Sequence, residues 1–116
     1  MYLVALDFDG VIHAHTHTYH RPDHIPDSPT TGALQAVLAY RAAGFEVVVH
    51  TTRAKDPRGA EAVAAWLLAH GFPSDIRVTA TKPAATIYVD DRGLRFTGSN
   101  WPTVQDVLCF RPWNRN

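Results

Sequence analysis

The chain is poor in cysteine, carries no excess charge of either sign and has no long apolar run. Its single thiol is Cys109. One cysteine cannot close an intrachain disulfide, which excludes a disulfide-stapled scaffold and suits a reducing compartment. Eleven Lys and Arg balance eleven Asp and Glu, so the formal net charge is zero. That argues against a general polyanion-binding surface and leaves room only for a local basic patch. The apolar stretch over residues 1–6 is far too short for a signal peptide or a membrane span, and Asp7 and Asp9 interrupt it at once. The expectation is a soluble, cytoplasmic protein with no membrane partner. Internal repeats and low-complexity tracts are also missing.

What is present fits one globular domain spanning residues 1–116. At 116 residues and 46% hydrophobic, the chain can bury a core without staples. Tyr2 to Phe8 is a continuous apolar run of strand formers that stops at Asp9-Gly10. Such a run, bounded by a turn, predicts a strand buried on both faces of a parallel sheet. Val11 to Pro29 is polar and carries Pro22, Pro26 and Pro29, so it predicts an excursion or short hairpin with no helix. A helix is expected over Thr30–Ala43, capped by Thr30 or Thr31 and stopped at Gly44. Phe45–His50 reads as a second buried strand, running into Thr51-Thr52-Arg53. Asp56-Pro57 reads as an N-cap with proline in the first turn of a helix ending at Gly71. Asp75–Thr79 and Thr86–Val89 are further strand candidates, Leu94–Phe96 a short fifth, and Thr103–Leu108 a last helical turn or two.

Strands alternating with helices predict a three-layer α/β/α, Rossmann-like arrangement around a mainly parallel sheet. Ligands in such folds bind beyond the carboxyl ends of the strands. The residues there are Asp7 and Asp9, then Thr51 to Arg53, then Asp90 and Asp91. Carboxylates gathered at one edge repel unless a cation joins them, and an all-oxygen set favours Mg2+ over zinc. A carboxylate can attack a phosphoryl group and form an aspartyl phosphate, while a second acid serves the leaving group and then the water. Asp-x-Asp on a strand points both carboxylates the same way. Gly10 frees the following turn so that backbone N–H groups of Phe8 and Gly10 can face phosphate. The hydroxyl of Thr51, with Thr52 as its competitor, can donate to a phosphoryl oxygen, and Lys82 or Arg53 can balance its charge.

These residues resemble the motifs of the haloacid dehalogenase superfamily of phosphotransferases. Asp7-Phe8-Asp9-Gly10-Val11 is similar to its first motif and Val47 to Thr51 to its second. Lys82 resembles the third-motif lysine, and Ile87 to Asp91 the acidic fourth motif. The ordered set covers nearly the whole chain. The resemblance implies Asp7 as nucleophile and metal ligand, and Asp9 as acid/base with its backbone carbonyl on the metal. It implies Thr51 and Lys82 on the phosphoryl group, and Asp90 or Asp91 completing a Mg2+ site. The Asp-Asp-Arg ending, with Arg53, is also similar to the phosphatase domains of polynucleotide end-repair enzymes. Residues 12–29 allow a flap but no folded cap. A capless member implies an open site that accepts large substrates or is covered by another subunit, such as a homodimer partner. Lys82 precedes Asp90 with no helix between, so it reaches the active edge only if it directly follows the third strand.

The histidines at 13, 15, 17, 20 and 24 suggest zinc, but no cysteine or carboxylate stands at a tight ligand spacing there. The preferred reading is an exposed flap in which His13 at most touches substrate. Trp66 and Leu67 are expected in a helix core. The expected function is therefore a Mg2+-dependent phosphatase acting on a phosphorylated small molecule, a nucleotide or a nucleic-acid end. Two alternatives stand beside it. A receiver domain would place its phosphorylated Asp after an internal strand, whereas here that strand ends in His50-Thr51. A non-catalytic metal-binding module would keep the fold without turnover.

Overall fold

The apolar run after Met1 forms strand β1, Leu3–Asp7, in a computed structural model that describes residues 2–114. Met1, Arg115 and Asn116 lie outside the described residues, and so do both limits of the expected domain. The remaining strands are β2 (Glu46–His50), β3 (Arg77–Thr79) and β4 (Ile87–Val89). They form one all-parallel sheet in the order β3-β2-β1-β4. The helices are α1 (Ala33–Ala42), α2 (Pro57–Ala69) and α3 (Val104–Cys109). The result is a compact α/β domain.

Register decides which side chains meet. Val4 lies beside Val47 and Leu6 beside Val49, and residues two apart share a face of a strand. These four join Phe8, Val37 of α1, and Val63 and Leu67 of α2 in one buried cluster. Helices α1 and α2 therefore pack on the same face of the sheet. Ala5 and Val48, also buried, occupy the other face. Each fully buried Val or Leu in the cluster contributes about 1.5–3 kcal/mol relative to an exposed one.

Local signals explain most helix ends and correct one. Asp56 caps α2 by accepting the Arg58 N–H, with Pro57 in the first turn, as the sequence implies. Helix α1 starts later than expected, at Ala33, after Gly32 in the left-handed region. No side chain caps α1, and Thr30 is tied elsewhere: its hydroxyl donates to the Val11 carbonyl at 2.6 Å and its N–H to the Ile12 carbonyl at 2.8 Å. Those bonds tie the end of the excursion to the turn after β1. Residues 14–28 contain no regular helix or strand.

The expected fifth strand does not form: residues 94–96 are outside the sheet, and Leu94 and Phe96 are exposed. Helix α3 has a complete capping box between Thr103 and Asp106, yet Val104, Val107 and Leu108 are all exposed. It is specified by its caps and not by burial. Among the described residues, no helix is long and apolar enough to cross a membrane.

Candidate functional site

Parallel pairing carries the carboxyl ends of β1, β2 and β4 to one edge. Asp7 is level with His50 there, and Asp90-Asp91 follow directly after β4. Ligand oxygens of Asp7, Asp90 and Asp91 all lie within 4.8 Å of one another, a grouping that could hold a metal ion. Burial and the two neighbouring acids push the Asp7 carboxyl up to about 7, although the Phe8 N–H donating to it at 2.9 Å works the other way. The Oδ1 of Asp91 is buried and has no hydrogen-bond partner among the described residues. An unpartnered buried carboxylate oxygen is costly, and a cation would relieve both that cost and the repulsion at Asp7. The donor set is all carboxylate, which suits a hard cation.

A cavity of about 220 Å³ opens beside these acids, lined in part by Asp7, Asp9, Thr51, Thr52, Asp91 and Arg92. Gly10 packs directly against Asp91. It has φ +83°, and a Cβ there would collide with the Asp91 carboxylate. Thr51 is buried, and its N–H donates to the Thr79 carbonyl, which continues the β2–β3 pairing. Its Oγ1 accepts the Arg53 N–H at 3.2 Å and caps the short 3-10 turn Thr52–Lys55. Thr51 and Thr52, the pair expected to compete for the hydroxyl role, both border the cavity.

The backbone donors have other uses. The Phe8 N–H serves Asp7, and the Gly10 N–H donates to the His13 carbonyl at 2.8 Å. The Phe8 carbonyl gathers the N–H groups of Val11, Ile12 and His13, closing a tight turn after β1. The Phe8 side chain is wholly buried, stacked on His13 with the Trp66 ring edge-on.

Asp9 is held from both sides. Its Oδ2 accepts Arg53 Nε at 2.8 Å and its Oδ1 lies 2.9 Å from His13 Nδ1. Burial would raise its carboxyl, but the His13 and Arg53 hydrogen bonds outweigh that and hold it below the usual carboxylate value.

Three expected roles need correction. Arg53 is 1% exposed and absent from the cavity wall. Besides Asp9 it donates through Nη1 to the carbonyls of Arg21, Pro22 and His24, so Nε and Nη1 are committed to the protein. His13 is not in an exposed flap. It is 0% exposed, and its Nε2 accepts the Asp27 N–H at 3.1 Å. That bond puts the ring proton on Nδ1, facing Asp9, in this arrangement; Asp9, His13 and His15 also bring ligand atoms within 4.8 Å of one another, a second grouping that could hold a metal ion. Lys82 does not line the cavity. Its Nζ sits 4.3 Å from the centre of the Tyr88 ring, in a neighbouring groove lined by Tyr2, Ile87 and Leu94 that also includes Asp90. The physical reason is the route of residues 80–86. They leave β3 at the carboxyl edge and return to the opposite edge, where the Thr86 N–H donates to Leu3. Lys82 is already on that return.

The site also contains residues that sequence reasoning missed. His15, at φ +56°, approaches Asp9 to 3.6 Å and borders the cavity with His50, Arg92 and Asn114. Arg92 was legible as the residue after the acidic pair. Asn114 was not, because it arrives from the far end of the chain and donates to the Ala14 and His15 carbonyls. Comparison with models of protein families, with curated proteins and with solved structures finds no match.

Proposed function

We propose that the protein is a Mg2+-dependent phosphatase of the haloacid dehalogenase type, in which Asp7 is the nucleophile and Asp9 the acid/base. The observation that carries the reading is the meeting of Asp7, Asp90 and Asp91 within 4.8 Å, with Asp7 and Asp91 in the wall of a cavity that Asp9 and Thr51 also line. A cation bound by the three carboxylates would neutralise phosphoryl oxygens and keep Asp7 ionised.

The chain's own groups do the rest. An Asp7 oxygen attacks phosphorus as the bond to the leaving oxygen breaks, and the leaving oxygen takes a proton from Asp9. Asp9 then accepts a proton from water, whose oxygen attacks phosphorus and breaks the bond to Asp7, releasing inorganic phosphate. Thr51 and Thr52 border the space that the phosphoryl group would fill. Arg92 supplies the cationic side chain beside the cavity, the part expected of Lys82.

The cavity of about 220 Å³ is smaller than the roughly 300–1,000 Å³ typical of sites that enclose a whole ligand. It suits a phosphoryl group with the rest of the substrate outside. That supports a nucleotide or nucleic-acid terminal phosphate, or another phosphate at the end of a larger molecule. The same reading takes the sheet as a Rossmann-like, capless core in which α1 and α2 form one helical layer. The opposite layer of the three-layer arrangement has no helix packed on it among the described residues.

The test is phosphate release from an aryl phosphate, sugar phosphates, nucleotides and phosphate-ended oligonucleotides, each with Mg2+ and with chelator. Turnover that needs Mg2+ and disappears in Asp7→Asn supports the mechanism, and the best substrate names the class. Folded protein without turnover on any of them favours the non-catalytic metal-binding alternative.

A further inference from the structure

We infer that Arg53 is a positioning residue that couples the excursion over residues 12–29 to Asp9, and that it does not bind the substrate phosphate. The inference rests on the phosphatase reading above for its catalytic consequence, but its geometry is independent of that reading.

Arg53 is a fully buried cation with two sets of partners. Nε holds Asp9 Oδ2 at 2.8 Å. Nη1 holds the carbonyls of Arg21, Pro22 and His24 at 3.2, 2.9 and 3.0 Å. The Tyr19 ring, also from the excursion, lies over the guanidinium at 4.8 Å. The guanidinium reaches Asp9 through Nε and the three carbonyls through Nη1, a fixed two-nitrogen span that the single nitrogen of an ammonium does not reproduce. Glycine at 59 permits the close approach of α2, since a Cβ there would strike the Arg53 carbonyl and Pro22.

The second arm on Asp9 has the same source. His13 faces Asp9 because Asp27 donates its N–H to the far ring nitrogen, and the Asp27 carbonyl in turn accepts Trp66 Nε1 at 3.1 Å. Both oxygens of Asp9 are thus held by groups that are themselves anchored by the excursion. The carboxylate keeps its orientation toward the cavity only while residues 19–27 stay closed over Arg53 and His13. In a protein without a folded cap, the excursion then acts through Asp9 and not by covering substrate.

Two measurements test this. The first compares kcat and KM of wild type and Arg53→Lys with Mg2+, with circular dichroism as the check on folding. Lysine keeps the charge and loses the two-nitrogen span. A positioning role predicts a kcat lower by about 100-fold with KM within about twofold. Added guanidinium should partly restore kcat in Arg53→Ala. A rise in KM at constant kcat would make Arg53 a phosphate ligand, and a kcat within twofold in folded Arg53→Lys would remove the catalytic role; either overturns the inference.

The second measurement needs no turnover. Amide hydrogen exchange over residues 19–25 should quicken in Asp9→Asn and stay as in wild type in Asp7→Asn. Equal exchange in all three proteins overturns the coupling, including in the case where both Arg53 variants fail to fold. Wild-type inactivity on every substrate would instead sink the phosphatase reading and leave the exchange result to judge the clamp.

Discussion

Single residues carry the strongest constraints in this domain. Gly10 stands at φ +83° against the Asp91 carboxylate. Gly10→Ala should cost about 1–2 kcal/mol from the left-handed backbone alone, and it must also displace Asp91. We expect weaker Mg2+ binding by isothermal titration calorimetry together with a lower unfolding midpoint. Unchanged affinity would show that Asp91 is not a ligand. Asp9 is the second such residue. The His13 and Arg53 hydrogen bonds favour its ionised form, which suits activation of water better than protonation of a leaving group. The general-acid role proposed for Asp9 predicts that Asp9→Asn slows an alkyl phosphate by about 10²–10⁴-fold, and slows the first step of an aryl phosphate much less, because that leaving group departs without a proton. Single-turnover release of the alcohol or phenol separates the two. Equal losses for both substrates would argue that Asp9 does not protonate the leaving group.

At the level of elements, α2 shows what packing adds to local preference. Its cap and proline mark the start, but its stability comes from Val63, Trp66 and Leu67 on the buried face. Leu67→Ala should cost about 2–5 kcal/mol. Leu68→Ala, one position round the helix and 61% exposed, should stay within about 0.5 kcal/mol. Denaturant unfolding of the two variants reads the face directly, and similar costs would contradict it. Helix α3 is the contrary case, with a sound cap and no buried face. Leu108→Ala is accordingly expected to leave monomer stability unchanged. The excursion over 12–29 behaves as an element despite lacking regular structure, because Arg53, His13 and Trp66 supply the partners that a ladder would have supplied.

Across the whole molecule, the acidic edge sets the pH dependence of the metal-free protein. The Asp7 carboxyl is raised to about 7 in the folded state, from 3.8. The folded protein therefore binds this proton more tightly than the unfolded chain does. The stability it contributes is complete below about pH 4 and is lost as pH rises through about 7. Asp9 acts in the opposite sense: its lowered carboxyl contributes stability that is lost as pH falls below the usual carboxylate range. In chelator, Asp7→Asn should thus be more stable than wild type at pH 8, by about 1–2 kcal/mol once partial exposure is discounted. The gain should vanish near pH 4. Saturating Mg2+ should stabilise wild type more than Asp7→Asn at pH 8, because a ligand of the folded state stabilises it by mass action. A gain that is the same at both pH values would mean that Asp7 carries no such penalty.

Much of this was legible in the chain itself. The apolar runs at 2–8, 45–50 and 86–89, each stopping at acids or hydroxyls, determined the parallel strands and the edge where Asp7, Thr51, Asp90 and Asp91 meet. Short-range chemistry determined the start of α2 and its stop before Gly71, because caps and turns depend on neighbours a few residues apart. The tertiary structure alone decided the rest. Arg53 read as a phosphate-facing cation and His13 as part of an exposed flap; both are buried once the excursion folds over them, and their partners lie 31 and 14 residues away. Lys82 was removed from the site by the route of the β3–β4 connection, and Asn114 was brought into it across 99 residues. Periodicity and local propensity report the few residues that share a turn or a face; which distant carbonyl meets a buried charge is settled only when the chain closes on itself.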